Sequence, residues 1–315
     1  MKNIKIIGLI LTLFLVALFV MISNEQKLQD KSKPIVAVTT FALYDIIKHI
    51  AGDTVEVVHI LPFGVDPHSF EPTPKLMSSL EKSALVFYSG AGLEPWIDGF
   101  AFTQRAVDVS KYVTLRRLAD SDKEEEKAAH EEEHTHHHHG GIDPHYWLDF
   151  DNMKKATEVI TKELSALQPQ NRELYTQNKQ KYIKMLNALD AEYKKTLSNC
   201  KQKNVVVSHN ALGYVADRYG FHVESLTGLS PEAEPSAKAI KRIFHNISKK
   251  GIQTIFYENF VNDKVTKTIA KDANISVDVF QPLGNITADE VKAGMQYEDI
   301  MRQNLKKLSK ALMCN

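Results

Sequence analysis

The stretch PIVAVTTFALYDIIKHIAGDTVEVVHILP, residues 34–62, decides the fold. PIVAVTT (34–40) is a short apolar run rich in β-branched residues, which is typical of a buried strand. FALYDIIKHIAG (41–52) has apolar residues at helical spacing, and TVEVVHILP (54–62) predicts a second strand. A strand, a helix and a second strand in this order form a right-handed βαβ unit with parallel strands.

The same alternation of strands and helices continues in two groups along the chain. At 315 residues the chain is too long for one ordinary domain, so we expect two α/β lobes, each a parallel sheet with flanking helices and its own core. The further predicted strands are ALVFYSG (84–90), AVDVS (106–110), KNVVVSH (203–209), FHVESL (221–226), TIFYE (254–258) and ISVDVF (275–280).

A long helical region separates the two groups of strands. Gln168 and Pro169 divide it into a first helix and a long second helix that ends near Cys200. About thirty residues of helix span ~45 Å, enough to join two lobes. One apolar stripe of the long helix consists of Tyr182, Met185, Leu189, Tyr193 and Leu197. The predicted boundaries are 1–32 for an N-terminal segment, 33–165 for the N-terminal lobe, 166–200 for the linking helix and 201–315 for the C-terminal lobe.

The N-terminal segment has the pattern of an export signal. Lys2 and Lys5 precede an apolar run over residues 6–22, so the folded part is expected outside the cytoplasm, in a periplasm or on the outer face of the membrane. A cleaved signal and a retained anchor both fit this pattern. Because no cysteine follows the run, we expect no lipoprotein anchor. Cys200 and Cys314 are the only cysteines, and both a disulfide and two separate thiols stay open.

Charge gives no indication of a nucleic-acid partner. Acidic and basic residues balance at 39 each, so no net positive field attracts phosphates. Charge is instead concentrated in residues 119–142, ADSDKEEEKAAHEEEHTHHHHGGI, an acidic, histidine-rich insertion with too few apolar residues to pack. We expect it to be a surface loop.

Three histidines lie in loops beyond predicted strands, where open α/β sheets bind ligands. They are His68 in DPHSFEP, His145 in DPHYWLD and His209 in SHN. Imidazole is a common ligand of zinc and similar metals, which makes these residues candidate metal ligands. Their separation in the sequence does not show that they converge. Four other histidines lie within predicted helices or strands and are interpreted as structural: His49, His59, His222 and His245.

Five motifs resemble the metal-specific solute-binding proteins of ABC importers, the ZnuA-type zinc binders and their manganese-binding relatives. In the family's order they are GVDPHSFEPTP, DPHYWLDF, VVVSHNALGYVADRYGF, GLSPEAEPSAKAI and FYENFVNDKVTKTIA. The resemblance implies two lobes bridged by a rigid helix, with metal in the cleft between them. His68 and His145 match the ligands of the N-terminal lobe, and His209 matches a ligand of the C-terminal lobe. Manganese-binding relatives carry a carboxylate at the last position, so histidine there favours Zn²⁺.

The fourth ligand is where this sequence departs from the family pattern. Many relatives have aspartate in an Asp-Pro-Leu stretch, whereas this chain has Gln281 before Pro282 and Leu283. An amide oxygen is a poor zinc ligand, so we expect water to complete the site, with Gln281 as a possible fourth ligand. Glu258 is a candidate for orienting an imidazole from behind.

The family resemblance also bears on the histidine-rich insertion, because zinc-specific members often carry such a loop at this place. We therefore predict a weak secondary zinc site there. Its candidate ligands are His130, His134, His136, His137, His138 and His139.

The expected function is therefore capture of Zn²⁺ by a monomer that delivers it to the membrane permease of an ABC importer, without catalysis and without a small organic ligand. Binding of manganese or another divalent metal is the nearest alternative. A zinc-dependent hydrolase and a surface adhesin are the alternatives from other classes, since three histidines and a water also form hydrolytic zinc sites.

Overall fold

Two four-stranded parallel sheets form the framework of the protein. The computed structural model describes residues 33–100, 102–118, 141–229, 233–260 and 263–315. The first sheet has the order β2-β1-β3-β4, and the second has the order β10-β9-β7-β8. The strands of the first are β1 (Ile35–Val38), β2 (Glu56–His59), β3 (Leu85–Tyr88) and β4 (Arg105–Asp108). Those of the second are β7 (Asn204–Val207), β8 (His222–Ser225), β9 (Thr254–Tyr257) and β10 (Ser276–Val279).

A short antiparallel ribbon stands apart from the sheets. β5 (Arg116–Arg117) pairs with β6 (Ile142–Asp143), with Arg116 opposite Asp143. The predicted loop over 119–142 is therefore too long by its last residue, because Ile142 belongs to this ribbon. The remainder of that loop lies outside the described residues except for Gly141.

Each sheet is covered on both faces, which explains why its central strand has consecutive apolar residues. In β1, Val36 and Val38 belong to one apolar cluster and Ala37 to another, because successive side chains point to opposite faces. In β7, Val205 and Val207 likewise belong to one apolar cluster and Val206 to another. The helices beside the sheets are α1 (Phe41–Ala51), α2 (Pro74–Leu80), α5 (Gly213–Tyr219), α6 (Ala237–Lys250) and α7 (Lys264–Asp272).

One long helix joins the two sheets. It is α4 (Arg172–Leu197), which follows α3 (Phe150–Leu167), and its 26 residues give a length of about 39 Å. Tyr182 of α4 donates to the buried carboxylate of Asp45 in α1 at 2.7 Å. Near the other end, Tyr193 donates to the carbonyl of Met301 at 2.7 Å. Met301 belongs to the C-terminal helix α9 (Tyr297–Ala311), which follows the short α8 (Ala288–Lys292). The predicted α/β fold with two parallel sheets and a joining helix is thereby confirmed.

The cores of the two halves are less separate than the sequence led us to expect. The largest apolar cluster contains side chains from β1 and α1, from α3 and α4, and from β7, α5 and α9. The physical reason is that α4 and α9 present tyrosines and leucines that pack against both halves. Smaller clusters lie under α2 and under α6 with α7. The lobe boundaries at 165 and 200 stay a prediction.

The two cysteines, left open by the sequence, are joined in the structure as a disulfide between Cys200, just past α4, and Cys314, just past α9. The predicted N-terminal signal or anchor, residues 1–32, lies outside the described residues. None of the helices in the described ranges has the length and hydrophobicity of a membrane span.

Candidate metal centre

The structure brings the three loop histidines together. His68 lies in the loop after β2, and His145 and His209 each lie two residues past the end of a strand, β6 and β7 respectively. One ring nitrogen of each lies within 4.8 Å of those of the other two. His145 and His209 are buried, and His68 is half-buried. A loop from each parallel sheet and one from the β5–β6 ribbon therefore supply one cluster of imidazoles.

The spacing of the ring nitrogens matches the dimensions of a tetrahedral zinc site. His68 Nε2 lies 3.2 Å from His145 Nε2, and His209 Nε2 lies 3.4 Å from His145 Nε2. Zinc–nitrogen bonds of about 2.05 Å at tetrahedral angles place two ligand nitrogens about 3.3 Å apart. The two spacings that involve His145 therefore suit one shared ion, and the ring nitrogens of all three histidines lie within 4.8 Å of one another.

Two of the imidazoles are held in a fixed tautomer by carboxylates behind them. His145 Nδ1 lies 2.9 Å from Asp143 Oδ1, and His209 Nδ1 contacts Glu258 Oε1. A neutral imidazole that donates from Nδ1 has a lone pair on Nε2. The Nε2 lone pairs of His145 and His209 therefore face each other, an arrangement that repels unless a cation or a proton lies between them. Such a carboxylate behind each ligand is the usual support of zinc-binding histidines.

A repeated Asp-Pro-His triplet shapes two of the three loops. Asp66 accepts a hydrogen bond from the backbone N–H of His68 at 2.7 Å, and Asp143 does the same for His145 at 3.0 Å. The aspartate thus closes a tight turn over the proline and fixes where the histidine begins. Sequence reasoning missed the roles of Asp66 and Asp143, although the repeated triplet was the signal that could have revealed them.

Electrostatics differ between the ligands. Burial lowers the pKa of His68 well below its ordinary value, and the neighbouring His145 and His209 lower it further. Burial also lowers the pKa of His209, but the carboxylate of Glu258 outweighs it, so that this pKa lies above its ordinary value. His68 therefore offers a neutral nitrogen, whereas His209 keeps its second proton to a higher pH than a free imidazole does, and a metal ion competes with that proton.

Gln281 does not join the cluster. Its amide nitrogen donates to Glu290 at 3.1 Å, and its amide oxygen accepts from the backbone N–H of Leu283 at 3.3 Å. Both polar atoms of this side chain are thus used in hydrogen bonds within the segment that follows β10. Glu258 lies beside His209, in the supporting position that the sequence allowed for it.

The cluster lies in a narrow pocket with apolar walls. Pro67, Trp147, Phe260 and Pro282 line it together with the histidines, and the free space is little more than an ion or a water molecule occupies. Trp147 donates from its indole nitrogen to the carbonyl of Pro282 at 2.6 Å, which links the two halves across the site. The pocket thus has room for one ion and little else.

The other histidines divide into two groups. His49 contacts Asp45, which raises its pKa to about 9, and His59 is stacked on Phe63, with burial lowering its pKa to about 4. His222 and His245 are exposed and lie outside the cluster. Within the described ranges, the three loop histidines are the only group of three or more His, Cys, Asp or Glu side chains close enough to share a metal ion. The histidines of the insertion, His130 to His139, lie outside those ranges.

Fold and site together define a two-lobed α/β metal-binding protein. The chain belongs to the ZnuA family, described as zinc-uptake complex component A, periplasmic, which matches residues 36–311. The resemblance stated from the sequence motifs is thereby confirmed. The family description is that of an uptake component rather than an enzyme.

Individual relatives agree with this assignment. The chain is 34% identical over 297 residues to the zinc-binding lipoprotein AdcA of Streptococcus pneumoniae, covering 93% of this chain and 58% of AdcA. It is 31% identical over 297 residues to the high-affinity zinc uptake system protein ZnuA of Bacillus subtilis, covering 92% of each. A crystal structure of the Zn(II)-bound ZnuA-like domain of S. pneumoniae AdcA superposes with a TM-score of 0.72 at 29% identity, covering 89% of this chain and 99% of the domain. The chain thus spans little more than half the length of AdcA.

Proposed function

We propose that this protein captures Zn²⁺ outside the cytoplasm and delivers it to the membrane permease of an ABC importer. The observation that carries the proposal is the convergence of His68, His145 and His209, with Nε2 separations of 3.2 and 3.4 Å at the junction of the two sheets. The names of the relatives, a zinc-binding lipoprotein and a zinc uptake protein, support the same cargo.

Zinc fits this donor set better than manganese does. Three imidazole nitrogens suit a small tetrahedral ion of borderline softness, whereas Mn²⁺ prefers oxygen ligands and six-coordination. The supporting carboxylates, Asp143 and Glu258, contact the Nδ1 atoms of His145 and His209, and we propose that a water molecule occupies the fourth position.

Transport fits the site better than hydrolysis does. A zinc hydrolase needs a general base beside the metal-bound water. Asp66 and Glu258 are the acidic residues that line this pocket. The carboxylate of Glu258 is engaged by His209, and Asp66 accepts a hydrogen bond from the backbone N–H of His68. The pocket also has too little free space for an organic substrate beside the metal. We therefore propose a binding protein without catalytic activity, acting as a monomer.

The relatives bear on how the chain is attached to the membrane. The expectation that it is not a lipoprotein has no support, because the relative AdcA of S. pneumoniae is named a lipoprotein. We propose an extracytoplasmic location. We also propose that the histidine-rich insertion binds zinc weakly and separately from the site between the sheets.

The test is a competitive zinc titration against a chromogenic chelator. The wild-type protein is compared with His68→Ala, His145→Ala and His209→Ala, with His222→Ala as the exposed control histidine. A further variant replaces the six histidines of the insertion, His130 to His139, by asparagine. We expect one tight site that each of the first three substitutions weakens more than about 100-fold, and that the control and the insertion variant retain.

The opposite pattern contradicts the proposal. If the insertion variant loses all tight binding while the three alanine variants keep it, the cluster between the sheets is not the zinc site. Delivery is tested in cells that lack their own zinc-binding protein of this family, grown at limiting zinc together with the matching permease. Wild type is expected to restore growth and His209→Ala to fail.

A further inference from the structure

A chain of charged groups runs from His145 to the surface of the second half. Asp143 holds His145 Nδ1 with Oδ1, and its other oxygen lies 3.5 Å from Arg116 Nη1. The Nε atom of Arg116 donates to Asp217 of α5 at 2.7 Å. Asp143 is completely buried, while the side chain of Asp217 is 63% exposed. The carboxylate that supports His145 is thus connected through Arg116 to α5, the helix that follows His209.

Hydrogen bonds to the backbone connect the same two elements, the β5–β6 ribbon and α5. The backbone N–H of Arg116 donates to the hydroxyl of Tyr214 in α5 at 2.8 Å, and this hydroxyl donates to the carbonyl of Asp143 at 2.8 Å. One tyrosine therefore binds both strands of the β5–β6 ribbon. The first turn of α5 is held against the ribbon by side-chain and main-chain contacts together.

Gly213 makes this close approach possible. A Cβ atom at this position would lie 2.6 Å from Arg116 Nη1 and 2.7 Å from Asp143 Oδ2, closer than atoms can pack. Gly213 is also the first residue of α5 and follows His209 by four positions. The segment that positions His209 and the ribbon that positions His145 therefore meet at this glycine.

We propose that Arg116, Asp143, Gly213, Tyr214 and Asp217 form an interlobe clasp that fixes the distance between His145 and His209 and thereby sets the rate at which bound metal is released. The inference rests on the proposed zinc-binding function. Arg116 is a positioning residue, because it acts on the metal through Asp143 and His145. Opening the clasp lets the two Nε2 atoms, 3.4 Å apart, separate beyond the reach of a single ion.

The test compares zinc dissociation into excess chelator from the full chain and its variants. Arg116→Ala removes the charged link, and Gly213→Ala displaces it without removing any charge. Arg117→Ala is the matched control, because Arg117 is the adjacent, exposed arginine on the same strand. We expect Arg116→Ala and Gly213→Ala to accelerate release about 10- to 100-fold, the usual effect of losing the support behind a metal ligand. Arg116→Lys is expected to recover part of the loss, and Arg117→Ala to behave as wild type.

A second readout separates positioning from general destabilisation. The visible absorption of bound Co²⁺ reports ligand geometry, and it should change in Arg116→Ala and Gly213→Ala while Arg117→Ala leaves it unaltered. If Arg116→Ala does not fold, Asp217→Asn removes the exposed outer partner, with a several-fold acceleration expected.

Wild-type release rates and spectra in all variants that fold would overturn the clasp. Failure of the wild-type protein to retain zinc would instead overturn the proposed function.

Discussion

The two sheets share one strand order, and equivalent strand ends carry different chemistry. Read from β2 and from β8, the orders β2-β1-β3-β4 and β8-β7-β9-β10 correspond. Thr40 lies two residues past β1, as His209 does past β7. Ser89 lies one residue past β3, as Glu258 does past β9. In each half the two side chains contact each other, as hydroxyls 2.9 Å apart in the first and as imidazole and carboxylate in the second.

In the first half, the residues after the strands stabilise the fold through hydrogen bonds with one another. Besides the contact between Thr40 and Ser89, the buried carboxylate of Glu94 accepts from the Thr39 hydroxyl and from the backbone N–H groups of Ser89 and Gly90. In the second half, the contact with Glu258 occupies Nδ1 of His209 and leaves Nε2 for a further ligand. The fold thus gives both strand ends the same position, and the lone pair on His209 Nε2, which Glu258 does not use, makes the second one a candidate metal site.

The largest effect on zinc affinity is expected when the strand end of the second half is given the residue found in the first half. His209→Thr gives the second half the residue of the first and removes one of three nitrogens. Zinc affinity should fall by more than about 100-fold, beyond the cost of losing an outer hydrogen bond. Isothermal titration against a competing chelator measures it, with His245→Thr as an exposed control. Near-wild-type affinity in His209→Thr would remove this residue from the site.

The next effect concerns the carboxylate behind His209. Glu258→Gln keeps the shape but removes the charge that fixes the tautomer, so zinc affinity should fall about 10- to 100-fold. The same titration measures this loss. Because the carboxylate raises the pKa of His209, the substitution should also make this imidazole deprotonate at lower pH. An affinity equal to that of wild type would show that Glu258 has no supporting role.

The pH dependence of zinc affinity tests the same effect of Glu258 on His209. The pKa of His209 lies above its ordinary value, so zinc must displace a proton from it as the pH falls through that raised pKa, while His68, with a lowered pKa, stays neutral. The wild-type affinity should therefore begin to fall already above pH 6.5 or so, by about tenfold per pH unit for one proton displaced. In Glu258→Gln the fall should begin at lower pH. Superimposable profiles would contradict the electrostatic account.

The smallest effect on zinc is expected in the first half. Thr40→Val keeps the shape and leaves the buried Ser89 hydroxyl without its Thr40 contact, which should cost about 1–2 kcal/mol of stability. Denaturant unfolding measures this loss. Zinc affinity should stay within about twofold of wild type, since Thr40 is not among the residues lining the metal pocket. A large loss of affinity would show that the two ends are coupled.

The sequence predicted the elements that depend on local pattern. The β-branched runs at 34–40 and 203–209 indicated the central strands, and the histidines in loops after strands, together with the motif resemblance, indicated His68, His145 and His209. The contacts of Asp143 with Arg116 and of Arg116 with Asp217 join residues 27 and 101 positions apart, and no local pattern reports them. The direction of the Gln281 side chain was beyond prediction for a different reason, because its partners Leu283 and Glu290 lie nearby in a segment that has no sustained periodic pattern.

The most direct measurement is a crystal structure of the zinc-loaded protein, with diffraction data collected above and below the zinc absorption edge. We expect one strong anomalous peak about 2.1 Å from the Nε2 atoms of His68, His145 and His209, with Asp143 and Glu258 still in contact with the Nδ1 atoms of their histidines. An ordered zinc ion bound elsewhere, with these three imidazoles empty, would contradict it.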